Sequence, residues 1–223
     1  MDPLHLPKPC LKKIIKAGVN VCRVNFSHGT YEDHEKVITT IRELNDELGK
    51  HTAILADLQG PKIRVGKMEN NGVMLKNGGK FILTTTKCEG TVEKAYISYT
   101  TFPKDVKPKE KILLDDGKLV LEVVSTNQEN EVVTKVLHGG KLSSNKGVNL
   151  PNTKVSLPSL TKKDLEDLNF ALKMNISWIG LSFVRSARDI IELKHIITKA
   201  KSNSKIVAKI EKPEAVAEIH DII

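Results

Sequence analysis

The chain has 223 residues, 39% hydrophobic and 28% charged, with a formal net charge of +8, which suits a globular protein of one or two domains. No apolar run approaches the roughly 20 residues that cross a bilayer, and the opening MDPLHLPKPC has neither the basic nor the apolar region of a secretory signal. Cys10, Cys22 and Cys88 are odd in number, far apart and in no CxxC pair, which argues against a disulfide framework or a zinc site and suits a reducing cytoplasm.

In chain order, an apolar helix fragment near Leu11–Ala17 precedes a strand over Val19–Phe26. Strand side chains alternate between faces, so Cys22, Val24 and Phe26 share one face while Arg23, Asn25 and Ser27 share the other. A row of guanidinium, amide and hydroxyl needs partners wherever it is covered; otherwise it is the wet face of an edge strand. Helical spacing of Val37, Ile41, Leu44 and Leu48 predicts a helix from Tyr31 to Leu48, with Thr30 and Asp33 as its cap and Gly49 as its stop. Thr52–Leu58 is a short apolar run suited to a fully buried strand.

This β/α grammar breaks at Gln59-Gly60-Pro61. Short β-like runs follow at Phe81–Thr85, Lys111–Leu114, Leu119–Ser125 and Val132–Leu137, separated by Asn-Gly, Gly-Gly and Asp-Gly turn signals. After Pro158 the grammar returns: a helix capped by Thr161 with Leu165, Leu168 and Leu172, a strand over Ile176–Val184, a helix over Ala187–Lys201, a strand over Lys205–Ile210, and a helix opened by Pro213. The expected division is residues 1–61 and 158–223 as a β/α domain, with 62–157 as a β-rich insert at the C-terminal end of a strand, where such folds keep their sites.

Residues 62–157 hold 16 Lys/Arg against 10 Asp/Glu, so +6 of the total +8 lies in the insert. A basic segment can serve nucleic acid, a membrane surface or phosphorylated small molecules; aromatics at 4% of the chain leave little for base stacking. Lys209 and Glu211, two apart at the end of an apolar strand, form one polar strand end; Asp57 forms a second, and Arg23 with Asn25 a third. Two carboxylates beside Arg and Lys suggest oxygen-ligated Mg²⁺ with an anionic substrate, while Walker, HExxH and protein-kinase motifs are absent. His28 reads equally well as a ligand, a base or a turn histidine.

In this order and spacing the stretches RVNFSHG, DLQGPKIR, LDDGK, KGVNLP, SFVRS and KIEKPEA resemble the pyruvate kinase family, from about Leu11 onward. The resemblance implies an α/β fold, part of a (β/α)8 TIM barrel interrupted by an inserted β-barrel lid domain. It also implies phosphoryl transfer from phosphoenolpyruvate to ADP, giving pyruvate and ATP, in a cytoplasmic glycolytic enzyme that is a homotetramer as a whole protein and binds neither nucleic acid nor membrane. By the same resemblance Arg23 clamps the transferring phosphate and Lys209 stabilises developing charge. Glu211 is a ligand of Mg²⁺ (or Mn²⁺). Asn25, Ser27, Asp57 and the Leu58 carbonyl hold a monovalent cation, and His28, Arg64 and Lys146 touch the nucleotide.

The chain departs from the family pattern at Leu58, where a threonine is usual, and at Lys62, where an acid is usual. The Lys62 ammonium could replace the monovalent cation, which puts potassium dependence in doubt. The strand expected before Leu11 and the Ala-Arg-Gly-Asp-Leu-Gly type strand expected after Ile223, which carries a second Mg²⁺ ligand, are not among these 223 residues. The chain is therefore expected to be an incomplete piece, inactive by itself. The competing readings are another phosphoenolpyruvate- or enolate-handling β/α-barrel enzyme and a non-catalytic nucleotide-binding module.

Overall fold

The computed structural model describes residues 3, 4, 6–153 and 155–223. They form two compact units, Met1–Pro61 with Pro158–Ile223, and Lys62–Leu157.

The first unit opens with α1 (Lys8–Lys16), β1 (Val21–Asn25), α2 (Tyr31–Leu48) and β2 (Ala53–Asp57). α2 has the bounds that its periodicity predicts. Thr30 and Asp33 form a reciprocal capping box, and Gly49 closes the helix in the left-handed conformation. β1 alternates as its sequence does: Cys22 and Val24 are fully buried while Arg23 and Asn25 are half-buried. The strand stops at Asn25, and Ser27 lies in the following turn, where the His28 N–H donates to the Asn25 carbonyl at 3.2 Å. The third member of the polar row is therefore displaced from the strand face. β2 is not buried on both faces as expected: Ile54 and Ala56 are buried, whereas Ala53 and Leu55 are half-buried.

The second unit contains β3 (Gly72–Leu75), β4 (Lys80–Thr84), β5 (Lys94–Tyr96), a one-turn helix α3 (Phe102–Asp105), β6 (Lys111–Leu114), β7 (Leu119–Thr126), β8 (Glu131–His138), β9 (Gly140–Ser143) and β10 (Val148–Asn149). A six-stranded sheet runs in the order β10-β6-β7-β8-β4-β5, beside a two-stranded β3-β9 ribbon. Its core is its own, built around Phe81, Leu83, Ile97, Phe102, Ile112 and Leu121. The four β-like runs appear at the expected places. β3, β5, β9 and β10 are only two to four residues long, too short to show a period, and their existence rests on pairing with distant partners.

The first unit resumes with α4 (Lys162–Lys173), β11 (Trp178–Leu181), α5 (Ala187–Lys199), β12 (Lys205–Ala208), α6 (Pro213–Ala217) and α7 (Ile219–Ile222). Its four strands pair in parallel in the order β1-β2-β11-β12. β11 and β12 are shorter than their apolar runs suggest, because Phe183 turns away with φ +57° and the chain leaves β12 after Ala208. In α4 the expected stripe is modified: Leu168 is buried but Leu165 is 44% exposed, and the buried face instead carries Asp164 and Asp167. Among the described residues no helix is long and apolar enough to cross a membrane.

Candidate active site

Register decides which side chains meet. Asn25 pairs with Asp57, Asp57 with Gly180, and Gly180 with Val207. Laterally paired residues of a sheet face the same side, and residues two further along share that side. Arg23, Asn25, Asp57, Ser182 and Lys209 therefore emerge on one face at the C-terminal ends of the parallel strands.

Asp57 is the hub, its side chain only 3% exposed. Its Oδ2 accepts from Arg23 Nε at 2.6 Å and Nη2 at 2.5 Å. Its Oδ1 accepts from Lys209 Nζ at 3.1 Å and from the Ser182 hydroxyl at 3.3 Å. The Lys209 ammonium also donates to Ser182 Oγ at 2.8 Å and lies 3.5 Å from Glu211 Oε1. The expected Lys209–Glu211 pair is thus present, but Asp57 is the nearer carboxylate. Glu211 Oε2 accepts the Phe183 N–H at 3.0 Å. Beyond it, the Lys212 ammonium stands 5.8 Å from the centre of the Phe183 ring, and burial pushes that ammonium below the ordinary lysine range.

This arrangement aims two cations from one buried carboxylate. Arg23 and Lys209 keep 40% and 31% of their side-chain surface, so each retains N–H donors for an anion on the open side. The oxygens assigned to a monovalent cation are already engaged by the chain's own donors. Asn25 Oδ1 accepts the Ser27 N–H at 3.1 Å, and the Leu58 carbonyl accepts the Ser182 hydroxyl at 2.5 Å. Among the described residues no cluster of three or more His, Cys, Asp or Glu could hold a metal ion; Glu211 is a single carboxylate with 37% of its side chain exposed.

The family model described as "Pyruvate kinase, barrel domain" matches residues 1–223. The chain belongs to the pyruvate kinase family. A pyruvate kinase of Corynebacterium efficiens is 42% identical over 212 residues, covering 95% of this chain and 44% of its own length. One from Geobacillus stearothermophilus is 43% identical over 215 residues, covering 96% of this chain and 37% of its own. One from Thermococcus litoralis is 40% identical over 223 residues, covering all of this chain and 47% of its own. The chain thus spans less than half the length of these pyruvate kinases.

Of the residues that the pyruvate kinase resemblance singles out, Arg23, Asp57, Lys209 and Glu211 converge, with Asn25 level with Asp57. His28 is exposed on the turn after β1. Arg64 and Lys146 belong to the second unit, where they are brought onto one edge: Arg64 bridges Gly147, Val65 N–H donates to the Lys146 carbonyl at 2.9 Å, and Arg64 Nη1 donates to the Asn145 carbonyl at 2.9 Å. Lys146 Nζ lies 2.9 Å from Asp115, and this contact, with Lys118 adding, holds the Asp115 carboxyl below its usual range. Lys62 is exposed, its Cε 3.7 Å from where a Cβ on Gly147 would stand.

Three residues of the first unit join the site's framework without having been singled out. Ser182 bonds to Lys209, Asp57 and Leu58; its place in SFVRS just after an apolar run was the available signal. On α4, Lys163 donates to the Phe26 carbonyl at 2.8 Å and is held by Asp167 at 2.6 Å, which also accepts the Tyr31 hydroxyl at 2.8 Å. Partial desolvation of the hydroxyl, and then that bond to a carboxylate, pushes the Tyr31 phenol up to about 12, although the residue as a whole is 40% exposed. Asp164, next along, accepts the Gly60 N–H at 2.9 Å. The Thr161-to-Asp164 spacing marks Asp164 as a capping residue, but no local pattern marks the bonds of Lys163 and Asp164 to the distant chain, because both reach partners more than 100 positions away.

Proposed function

We propose that this chain supplies part of the machinery that moves the phosphoryl group of phosphoenolpyruvate to ADP. The finer architecture proposed is a (β/α)8 barrel, to which the four parallel strands contribute, interrupted by residues 62–157 as a lid domain. The single observation that carries the reading is the Arg23–Asp57–Lys209 cluster at three strand ends, in a chain of this family.

The substrate carries a phosphate and a carboxylate on an enol. Arg23 offers a planar fork of donors that matches phosphate oxygens. Lys209, a compact charge steadied by Asp57 and Ser182, neutralises the negative charge that grows on the enol oxygen as its bond to phosphorus breaks. Such a fixed charge contributes most where water is sparse and the transition state is more charged than the ground state. The enolate then takes a proton at carbon to give pyruvate. Arg64, Lys146 and His28 are each proposed to contact the nucleotide.

The donor set suits Mg²⁺ modestly: Glu211 is one exposed carboxylate, and Mg²⁺ is commonly held by one or two carboxylates together with substrate phosphates. When bound, the ion would offset phosphate charge. A monovalent cation among Asn25, Ser27, Asp57 and Leu58 meets more competition, since Arg23 and Lys209 already satisfy Asp57.

The test is phosphoenolpyruvate- and ADP-dependent pyruvate formation, coupled to lactate dehydrogenase, by the protein that carries this chain. Turnover that collapses in both Arg23→Ala and Lys209→Ala is expected. Full activity in both variants would overturn the reading.

A further inference from the structure

Asp164 is a fully buried carboxylate in the first turn of α4. Its Oδ2 accepts the Thr161 N–H at 2.8 Å and the Thr161 hydroxyl at 2.6 Å, completing a capping box. In the one at the start of α2, Asp33 receives the equivalent pair from Thr30 and lies on the surface. Asp164 differs in being buried and in using Oδ1 for the Gly60 N–H, 104 positions away.

Gly60 cannot move freely once held there. It has φ +70°, and a Cβ built on it would stand 2.9 Å from Ser182 Cβ and 3.0 Å from the Ser182 carbonyl. Its backbone is therefore pressed against the residue that ties Lys209 to the strand ends, since Ser182 Oγ accepts from Lys209 and donates to the Leu58 carbonyl. Leu58 and Gly60 belong to the same short segment leaving β2. A carboxylate on α4 thus fixes that segment, the segment backs Ser182, and Ser182 orients the ammonium.

We infer that Asp164 is a positioning residue, acting through Gly60 and Ser182 on Lys209. The catalytic consequence rests on the role proposed above for Lys209; the geometric consequence does not. A capping role alone predicts that Asp164→Ala and Thr161→Ala lose thermal stability and leave turnover alone. Positioning predicts more, because Thr161→Ala spares the Gly60 bond and Asp164→Ala removes it.

The experiment compares Asp164→Ala, Asp164→Asn, Thr161→Ala, Gly60→Ala and Lys209→Ala in the protein that carries this chain. Three readouts are used: the coupled assay, melting, and labelling of Lys209 by an amine-reactive reagent followed by peptide mass mapping. Asp164→Ala is expected to lower kcat by about 10- to 100-fold with little change in KM, the size that a misplacement of about 1 Å produces. Thr161→Ala should stay within about twofold. Asp164→Asn should recover part of the loss, since its carbonyl can still accept from Gly60. Lys209 should label faster in Asp164→Ala than in Thr161→Ala. Should Asp164→Ala fail to fold, Gly60→Ala carries the test, since its methyl presses on Ser182 while Asp164 is intact, and the same fall in kcat is expected. Equal Lys209 labelling in Asp164→Ala and Thr161→Ala, or an unchanged kcat in Gly60→Ala, overturns the inference. If Lys209→Ala retains full kcat, the reading of Lys209 fails, and the labelling comparison alone decides the positioning claim.

Discussion

Truncating Lys209 to alanine withdraws one of the two cations from Asp57. At the observed 3.1 Å, a unit pair at an effective dielectric of 20 interacts by about 5 kcal/mol. Little of this becomes stability. Removing one partner of a buried pair costs ~3–5 kcal/mol when the other is stranded, but Asp57 keeps Arg23 at 2.5 Å, and the lysine side chain is already 31% exposed. A folding loss of about 1–2 kcal/mol is expected, below that range because Asp57 is not stranded. The catalytic loss should be larger. A fixed charge that acts mainly on the transition state is worth roughly 10²–10³ in rate, or ~2.7–4 kcal/mol, and it falls on kcat when ground-state binding is shared with other groups. On the role proposed for Arg23, that guanidinium still holds the substrate, so KM should change far less than kcat. The assay is the lactate-dehydrogenase-coupled rate across phosphoenolpyruvate concentrations, beside a thermal melt of the same preparation. A variant that melts normally and loses affinity while keeping its kcat would refute the reasoning, because Lys209 would then bind the substrate uniformly. Lys209→Arg should not restore the rate, since a planar fork cannot sit as a point charge between Ser182 and Asp57.

Glu211→Gln should weaken activation by Mg²⁺, because a neutral amide is a poorer ligand for a hard cation; a metal titration of activity checks this, and an unchanged curve would leave Glu211 as the partner of Lys209 and of the Phe183 amide alone. Potassium should stimulate by less than about tenfold over tetramethylammonium at matched ionic strength, because Arg23 and Lys209 already balance Asp57 and Lys62 stands where the family usually has an acid; Lys62→Glu should lower activity and make part of it recoverable by potassium. The Tyr31 phenol should titrate at about 12 rather than 10.0, a component of the near-ultraviolet phenolate signal that Tyr31→Phe removes. Because the folded state holds that proton more tightly than the unfolded chain, its stabilising contribution is complete below pH 10.0 and is lost as pH climbs towards about 12; an alkaline melting profile identical in Tyr31→Phe would contradict this.

What this sequence determines by itself is whatever depends on near neighbours along the chain. The cap and stop of α2 are local hydrogen-bonding and backbone preferences, so Thr30, Asp33 and Gly49 are readable without a fold. The alternation of β1 separates Cys22 and Val24 from Arg23 and Asn25 for the same reason. The ordered motifs that mark the pyruvate kinase family are likewise linear. What only tertiary structure decides is partnership. Lys209 has Glu211 two positions away, yet its nearer carboxylate is Asp57, because parallel register sets Asp57 beside Gly180 and Gly180 beside Val207. Ser27 leaves the polar row because the chain turns at Asn25. Asp164 and Asp167 are charged residues buried on α4, since the Gly60 amide in one case and Lys163 with Tyr31 in the other satisfy them there. A carboxylate can be buried only where donors await it, and donors more than 100 residues distant are invisible to any local pattern.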